Sequence, residues 1–324
     1  MSEREKIAIE IVDLCKSYGA RKVLEKVSFK VNKGEIMGFL GPNGAGKSTT
    51  MNIITGYIAS NSGKVFVDGI CTADDLSVAG RKIGYLPEIP PLYTEMTVNE
   101  YLSFVYSLKG VKEKKSEHLE RIMKTVGIED VKDRLIKNLS KGYKQRVGFA
   151  QALIGDPEIL ILDEPTVGLD PRQIAEIREV ISKVGKERTV ILSTHIMQEV
   201  MAVCDSYMII NKGKIVANGR IDELSGNGLN RFRLRVKSDA HTALCIAEQI
   251  YSLENCAVDG CFEEGTVDLI LSGRIGVDVR ESIFLAFAQA GVSILSFELI
   301  AQTLEELFLR IISRDDNLFE EVSE

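Results

Sequence analysis

GPNGAGKS, residues 41–48, fits the pattern G-x-x-x-x-G-K-[ST], and its reading decides the rest of the chain. EIMGFLG, a short apolar run ending in glycine, leads into it, and TTMNIITG leaves it with helical spacing as far as Gly56. A glycine-rich turn between strand and helix lets backbone N–H groups point inward at a helix N-terminus, where phosphate oxygens are held. In such a loop Lys47 is placed to reach β- and γ-phosphates, and Ser48 to ligate Mg2+.

Upstream, IAIEIVDL and KVSFKVNKG alternate apolar and polar residues, which predicts strands joined by turns over residues 7–40. Downstream, GKVFVDG and KIGYL are two more short strands. GYLPEIPPLY, residues 84–93, then holds three of the seven prolines, and these stiffen it into an extended connector with Glu88 in its middle. Beyond it the period becomes helical. Thr97 and Glu100 form a capping box before a helix ended by Gly110, a second helix stops at Gly127, and a third runs from Ser140 to the GDP at 155–157.

From EILILDE onward, strand and helix alternate, and the strands are almost continuously apolar, which predicts a buried parallel sheet covered by helices. The hairpin SYMIINKGKIVANG closes this part. The expected fold is therefore α/β: a P-loop NTPase core with a mixed sheet, an antiparallel β subdomain and an all-helical insert. The core is expected at residues 1–224 with the insert at about 88–155. SGNGLN at 225–230 reads as a linker. A small accessory α+β domain is expected at 231–313, with an amphipathic helix carrying Val279, Ile283, Phe284 and Phe287 and a final helix TLEELFLRII. An acidic tail follows at 314–324. His118 and His241 fall on predicted helices and are expected to face solvent.

The 324 residues are 45% apolar and 27% charged, an ordinary globular balance with room for two cores. A net charge of −7 argues against nucleic acid as a primary partner. No apolar run approaches the roughly 18–20 residues that span a bilayer, and MSEREKIAIE has no apolar segment of a secretory signal. Six scattered cysteines, none in a C-x-x-C pair, predict reduced thiols rather than zinc ligands or disulfides. Any membrane role is thus expected to come through a partner chain.

Two further stretches carry chemistry. ILILDEP, residues 159–165, is a buried strand ending in two acids. Asp163 stands where a Mg2+-holding carboxylate belongs at a strand's carboxyl end, and Glu164 is the natural base or water-positioning group. LSKGYKQ, residues 139–145, puts Ser140 at the N-cap of the third helix with Gly142 just inside. That is either a plain cap or a second anion site, and one nucleotide does not need two such sites from one chain.

GPNGAGKST, LSKGYKQRV, ILILDEPTVGLDP and ILSTH, in this order and spacing, resemble the ATP-binding subunits of ABC transporters over residues 5–220. The resemblance implies that ATP is bound by Gly41, Pro42, Asn43, Gly44, Ala45 and Gly46 with Lys47, Ser48 and Thr49. It implies a head-to-tail pair, a homodimer or a paired ATPase subunit. In that pair the signature residues Ser140, Lys141, Gly142 and Tyr143 of one copy face the γ-phosphate held by the other. Tyr18 resembles the aromatic that stacks on adenine, Asp170 the residue that crosses to the partner subunit, and His195 the histidine that contacts the γ-phosphate. The resemblance implies catalysis by Glu164, His195 and Lys47, with Mg2+ held by Ser48, Asp163 and Glu88. It further implies a separate transmembrane permease and a cytoplasmic position on the inner face of the cell membrane.

The chain departs from the family pattern at three places. Lys141 and Tyr143 stand where Gly and Gln are usual, and Glu88 stands where Gln is usual. A carboxylate at 88 offers a stronger metal ligand and one more negative charge. YLPEIPPLY, LSKGY and TLEELFLRI look most like the subgroup serving exporters of drugs, lipids or surface polysaccharides. An importer, a soluble ABC ATPase acting on ribosomes or DNA, and a P-loop kinase are the competing readings. The single P-loop, the absence of sustained heptads and the acidic balance disfavour the soluble ones.

Overall fold

The computed structural model describes residues 6–222, 231–261, 263–273 and 278–299. The expected linker at 225–230, the helix TLEELFLRII and the acidic tail lie outside these residues. By internal contacts the chain divides into two units, Met1–Gly219 and Arg220–Glu324.

In the first unit, the alternating N-terminal stretches form β1 (Ile7–Tyr18) and β2 (Arg21–Asn32), and β3 is Ile36–Leu40. The helix after the glycine loop is α1 (Lys47–Ile54). Next come β4 (Ser62–Val67), β5 (Ile70–Cys71), α2 (Leu76–Arg81) and β6 (Ile83–Leu86). The short α2 has no counterpart in the sequence reading: LSVAGR carries too little apolar periodicity, and Asp75 starts it by accepting the Val78 N–H. The predicted helices are α3 (Val98–Lys109), α4 (Lys115–Val126) and α5 (Lys141–Leu153). The Thr97/Glu100 capping box is present, and Gly110 and Gly127 end α3 and α4 in the left-handed conformation. The alternating segment gives β7 (Ile159–Asp163), α6 (Pro171–Gly185), β8 (Thr189–Thr194), α7 (Met197–Val203), β9 (Ser206–Asn211) and β10 (Lys214–Arg220).

Two sheets result. The first, in the order β2-β1-β4-β5, is antiparallel. The second runs β10-β9-β3-β8-β7-β6, and β9, β3, β8, β7 and β6 are mutually parallel. Every residue of β3, β7 and β8 is buried, as their largely apolar runs predict, and the buried polar residues Asp163, Ser193 and Thr194 stand at the strand ends. In register, Leu40 sits beside Thr194 and Asp163 beside Ser193, so β3, β8 and β7 end level with one another. The loops leaving four adjacent strands thus meet at one edge. They carry the glycine loop after β3, His195 after β8, Glu164 after β7 and Glu88 after β6, at the carboxyl ends where open parallel sheets bind ligands.

His118 corrects an expectation. It is fully buried rather than solvated, because it shares the inner face of α4 with Leu119 and Ile122. Its Nε2 accepts the Gly155 N–H at 3.1 Å, and Nδ1 lies 2.6 Å from Glu113 Oε2. His241 is exposed, as expected.

The second unit contains β11 (Arg231–Val236), α8 (Ala240–Glu248), β12 (Leu253–Gly260), β13 (Val267–Gly273), α9 (Arg280–Gln289) and β14 (Ile294–Leu299). Its antiparallel sheet has the order β12-β13-β11-β14. Its core joins Phe232, Leu234, Leu269 and Leu271 of the sheet to Ala247, Ile283 and Phe287 of the helices. Phe284 is 58% exposed, contrary to expectation. One step along a helix turns a side chain about 100°, away from the face that Ile283 and Phe287 share. Among the described residues, no helix is long and apolar enough to cross a membrane.

Candidate functional site

The glycine loop opens α1 without a side-chain cap: Gly46 stands at the N-cap with φ 113° and ψ 5°, a backbone that favours glycine. A Cβ at Gly46 would lie 2.6 Å from Leu24 Cδ2, so space as well as conformation requires glycine here. The first N–H groups of α1 therefore remain for a ligand. Lys47 is only 6% exposed. It folds back over the loop, donating to Gly41 O at 2.8 Å and Pro42 O at 3.4 Å.

Lys47 Nζ also lies 3.1 Å from Glu164 Oε1, and Glu164 Oε2 lies 2.8 Å from His195 Nδ1. A carboxylate oxygen accepts, so in this contact Nδ1 is the donor. Glu164 adopts a left-handed backbone, φ 48°, and its N–H donates to Ser193 O at 2.9 Å. A non-glycine residue there costs energy that the surroundings must offset. The three charged or polar groups form one chain across the cleft, from α1 to the β7 end to the β8 end. Breaking a buried pair leaves an uncompensated charge, so each group holds the other in place.

Asp163, next to this chain, is 2% exposed. Burial pushes its carboxyl above the usual range, helped by the nearby Glu164 charge and opposed by the Ser193 and Ser48 hydroxyls and by Lys47. The Ser193 and Ser48 hydroxyls lie near this carboxyl, yet Asp163 Oδ1 and Ser193 Oγ are both buried and neither has a partner at hydrogen-bond distance and angle. A buried carboxylate oxygen without a donor is the ligand a hard divalent cation takes, so the residues present fit Mg2+.

Lys47, Glu164 and His195 open on a cleft of about 540 Å³, which Tyr18, Asn43, Ser48, Thr49 and Glu88 also line; Asp163 is not among the lining residues. Tyr18 is half exposed, and Lys16 Nζ stands 5.2 Å from its ring centroid. The cleft also takes in Arg21, Val23 and Val167, which the sequence reading passed over. Arg21 pairs with Tyr18 across the turn between β1 and β2. Alternation across that two-residue turn was the available signal.

Ser140, Lys141, Gly142 and Tyr143 do not line the cleft. Ser140 is exposed and accepts the Tyr143 N–H at 3.4 Å as the N-cap of α5. Tyr143 Oη donates to Asp130 at 2.9 Å, and Lys141 packs its amino group over Gly168. Gly142 is buried, and a Cβ there would meet Gln173 at 2.7 Å. Asp170 caps α6 by accepting the Gln173 N–H at 2.9 Å and is otherwise exposed.

Elsewhere, Glu113, His118 and Asp156 bring their ligand atoms within 4.8 Å of one another. Arg121 fills that cluster, donating to Glu113 at 2.7 Å and to both Asp156 oxygens at 2.9 and 2.7 Å. It is an ion-pair network rather than a metal site.

Loop, lysine and strand-end acids converge on one edge of a parallel sheet, which puts the chain in the class of P-loop ATPases. The sequence pattern of the ABC transporter family matches residues 24–167. YxlF of Bacillus subtilis, an uncharacterized ABC transporter ATP-binding protein, is 33% identical over 310 residues, 94% of this chain and 99% of that protein. The bacitracin transport ATP-binding protein BcrA of Bacillus licheniformis is 31% identical over 306 residues, 94% of this chain and 97% of that protein. The dimeric structure of a post-hydrolysis state of the ATP-binding cassette MJ0796, bound to ADP and Pi, superposes with a TM-score of 0.61. It is 25% identical and covers 66% of this chain and 98% of that one. The chain belongs to the ABC transporter family as an ATP-binding, ATP-hydrolysing subunit.

Proposed function

We propose that the chain powers export of an amphipathic or antibiotic-like compound, through ATP-driven pairing of two cassettes beneath a separate permease. One observation carries the pairing: the cleft gathers the glycine loop, Glu164, His195, Tyr18 and Glu88, while the signature residues at the start of α5 stay outside it. A second copy, or a related ATPase subunit, turned head to tail supplies Ser140 and Gly142 to the open side. The dimeric cassette with ADP and Pi supports this arrangement. Export is supported by a relative named Nod factor export ATP-binding protein I, of Rhizobium etli, 38% identical over 68% of this chain. The likeness to the bacitracin transport relative runs through 94% of this chain and so includes the second unit.

In the proposed reaction the α1 N–H groups and Lys47 hold the β- and γ-phosphates, with adenine against Tyr18. Ser48, Asp163 and Glu88 would hold Mg2+, which when bound supplies positive charge to the phosphate oxygens. Glu164 orients the attacking water and accepts its proton. The water oxygen bonds the γ-phosphorus as the bond to the β–γ bridging oxygen breaks, and ADP leaves with that electron pair. His195, anchored to Glu164 through Nδ1, meets the γ-phosphate through Nε2 only with an N–H there, since a bare ring nitrogen and a phosphate oxygen both accept. Asp170 stands in the segment that meets the partner. The residues at 231–313 form an accessory module on this reading. The chain sits in the cytoplasm, peripheral to the membrane through the permease.

The GYLPEIPPLY segment leads from the β6 end toward α3, where Ile89, Tyr93 and Phe104 are exposed. We assign this surface to a cytoplasmic helix of the permease. The test is Glu164→Gln, which keeps shape and removes the base. ATP turnover should fall by about 100-fold or more, and the chain should elute as an ATP-bound dimer. A variant that stays monomeric with ATP, or turns over like the parent, overturns the reading.

A further inference from the structure

Glu199, in the first turn of α7, is a buried carboxylate that the reaction above does not use. It is 1% exposed and does not line the cleft. A charge at that depth is tolerated only when its oxygens are satisfied. Both are: Oε2 accepts the Thr194 hydroxyl at 2.8 Å, and Oε1 accepts the Thr166 hydroxyl. Thr166 is 2% exposed and Thr194 fully buried, so neither hydroxyl has water as an alternative.

The two threonines belong to the two loops that carry the site. Thr194 immediately precedes His195, and Thr166 lies two residues beyond Glu164. Thr194 Oγ1 also accepts the Ile196 N–H at 3.1 Å, which fixes the backbone on the far side of His195. Glu164 and His195 are hydrogen-bonded to each other at 2.8 Å. The contacts close a ring that runs from Glu164 through Thr166, Glu199, Thr194 and His195 back to Glu164. The ring spans the ends of β7 and β8, and Glu164 within it has a left-handed backbone, φ 48°.

We propose that Glu199 is a positioning residue. It clamps the loop after β7 to the loop after β8, so that Glu164 and His195 keep the relative placement that hydrolysis requires. The inference rests on the roles assigned above to Glu164 and His195. Gln fits the same space but accepts only one hydroxyl on its carbonyl oxygen, while its NH2 group forces the other threonine to turn. Ala accepts neither.

The test is a double-mutant cycle on the full-length chain, read by steady-state ATP hydrolysis and by equilibrium binding of a fluorescent ATP analogue. Glu199→Ala should lower kcat about tenfold or more with KM within about twofold, because a shift of about 1 Å in a reacting group costs up to about 100-fold. Glu199→Gln should retain most of the rate that Ala loses. In a His195→Ala background, Glu199→Ala should cost less than about twofold, since the group it positions is gone. An equal loss in both backgrounds, or a loss confined to KM, overturns the positioning role while leaving the site reading intact. If His195→Ala alone leaves kcat unchanged, the site reading itself falls, and the inference with it. Should Glu199→Ala fail to fold, Thr166→Val replaces it in the cycle, because it deletes one of the two hydroxyl contacts to Glu199 at constant shape, and the same outcomes decide.

Discussion

Two helices of the first unit begin in chemically similar ways and are used differently. α1 starts at Lys47 behind a glycine that caps nothing, and its first turn is enclosed: Lys47 is buried against Gly41 O and Glu164. α5 starts at Lys141 behind a serine that is exposed and holds the Tyr143 N–H only loosely, at 3.4 Å. Every helix start offers free N–H groups and a positive dipole end. One of these starts already has a counter-charge and a cleft within its own unit. The other faces solvent, with a well-packed glycine behind it, and gains a ligand only if a second body brings one. The difference teaches that what separates a complete half-site from a complementary one is enclosure rather than residue type.

The comparison breaks most sharply at Lys47. Lys47→Ala removes the cation from the enclosed start and leaves Glu164 buried without its ion pair. Hydrolysis should fall by at least about 100-fold, and nucleotide binding by the isolated chain should weaken with it. Calorimetric titration with ATP checks the second point, and retained affinity would show that Lys47 is not a phosphate ligand.

Ser140→Arg tests the open start. An arginine there fills the surface that a partner's γ-phosphate must approach, yet touches nothing in the cleft of its own copy. Hydrolysis should drop by about tenfold to 100-fold, while ATP affinity of the isolated chain stays within about twofold. The contrast between the two variants is the readout. If Ser140→Arg weakens nucleotide binding by the monomer as Lys47→Ala does, the two starts serve one site and the head-to-tail pairing is wrong.

What the sequence made legible follows the same division. The glycine loop and the ILILDE strand are local patterns with a physical cause, and they lie where periodicity and composition put them. Thr97 and Glu100 likewise announce a helix start through residues three apart. The residues passed over depend on distant partners. His118, expected at the surface, lies on the buried face of α4, where the N–H of Gly155, 37 positions on, donates to its ring. Glu199 reads as an ordinary helix residue until Thr166, 33 positions earlier, is seen to donate to it. Arg21 enters the cleft only because the turn between β1 and β2 sets it beside Tyr18. Phe284 is exposed although its neighbour Ile283 is buried, because one residue's shift in helix phase decides its face.

The smallest effect expected is at Glu88, where the family's usual Gln is a carboxylate. Glu88 lines the cleft yet is exposed, and it is flanked by Pro87 and, one residue on, by Pro90 and Pro91. The prolines restrict how the connector bends. Pro90 packs against Gly148 of α5 so closely that a Cβ there would lie 2.6 Å from it. The proposed coupling runs through this contact: a displacement at Glu88 would pass to the helix that follows Ser140, the open start. Glu88 is the exposed member of the proposed Mg2+ ligands, and water takes its place when it is removed, so Glu88→Ala should lower permease-stimulated turnover only about two- to fivefold. Nucleotide affinity should change less than stimulated turnover, and the ratio of transport to hydrolysis should fall. Measured in vesicles holding the permease, an unchanged ratio would mean that the enclosed and open halves of the unit are not linked through this segment.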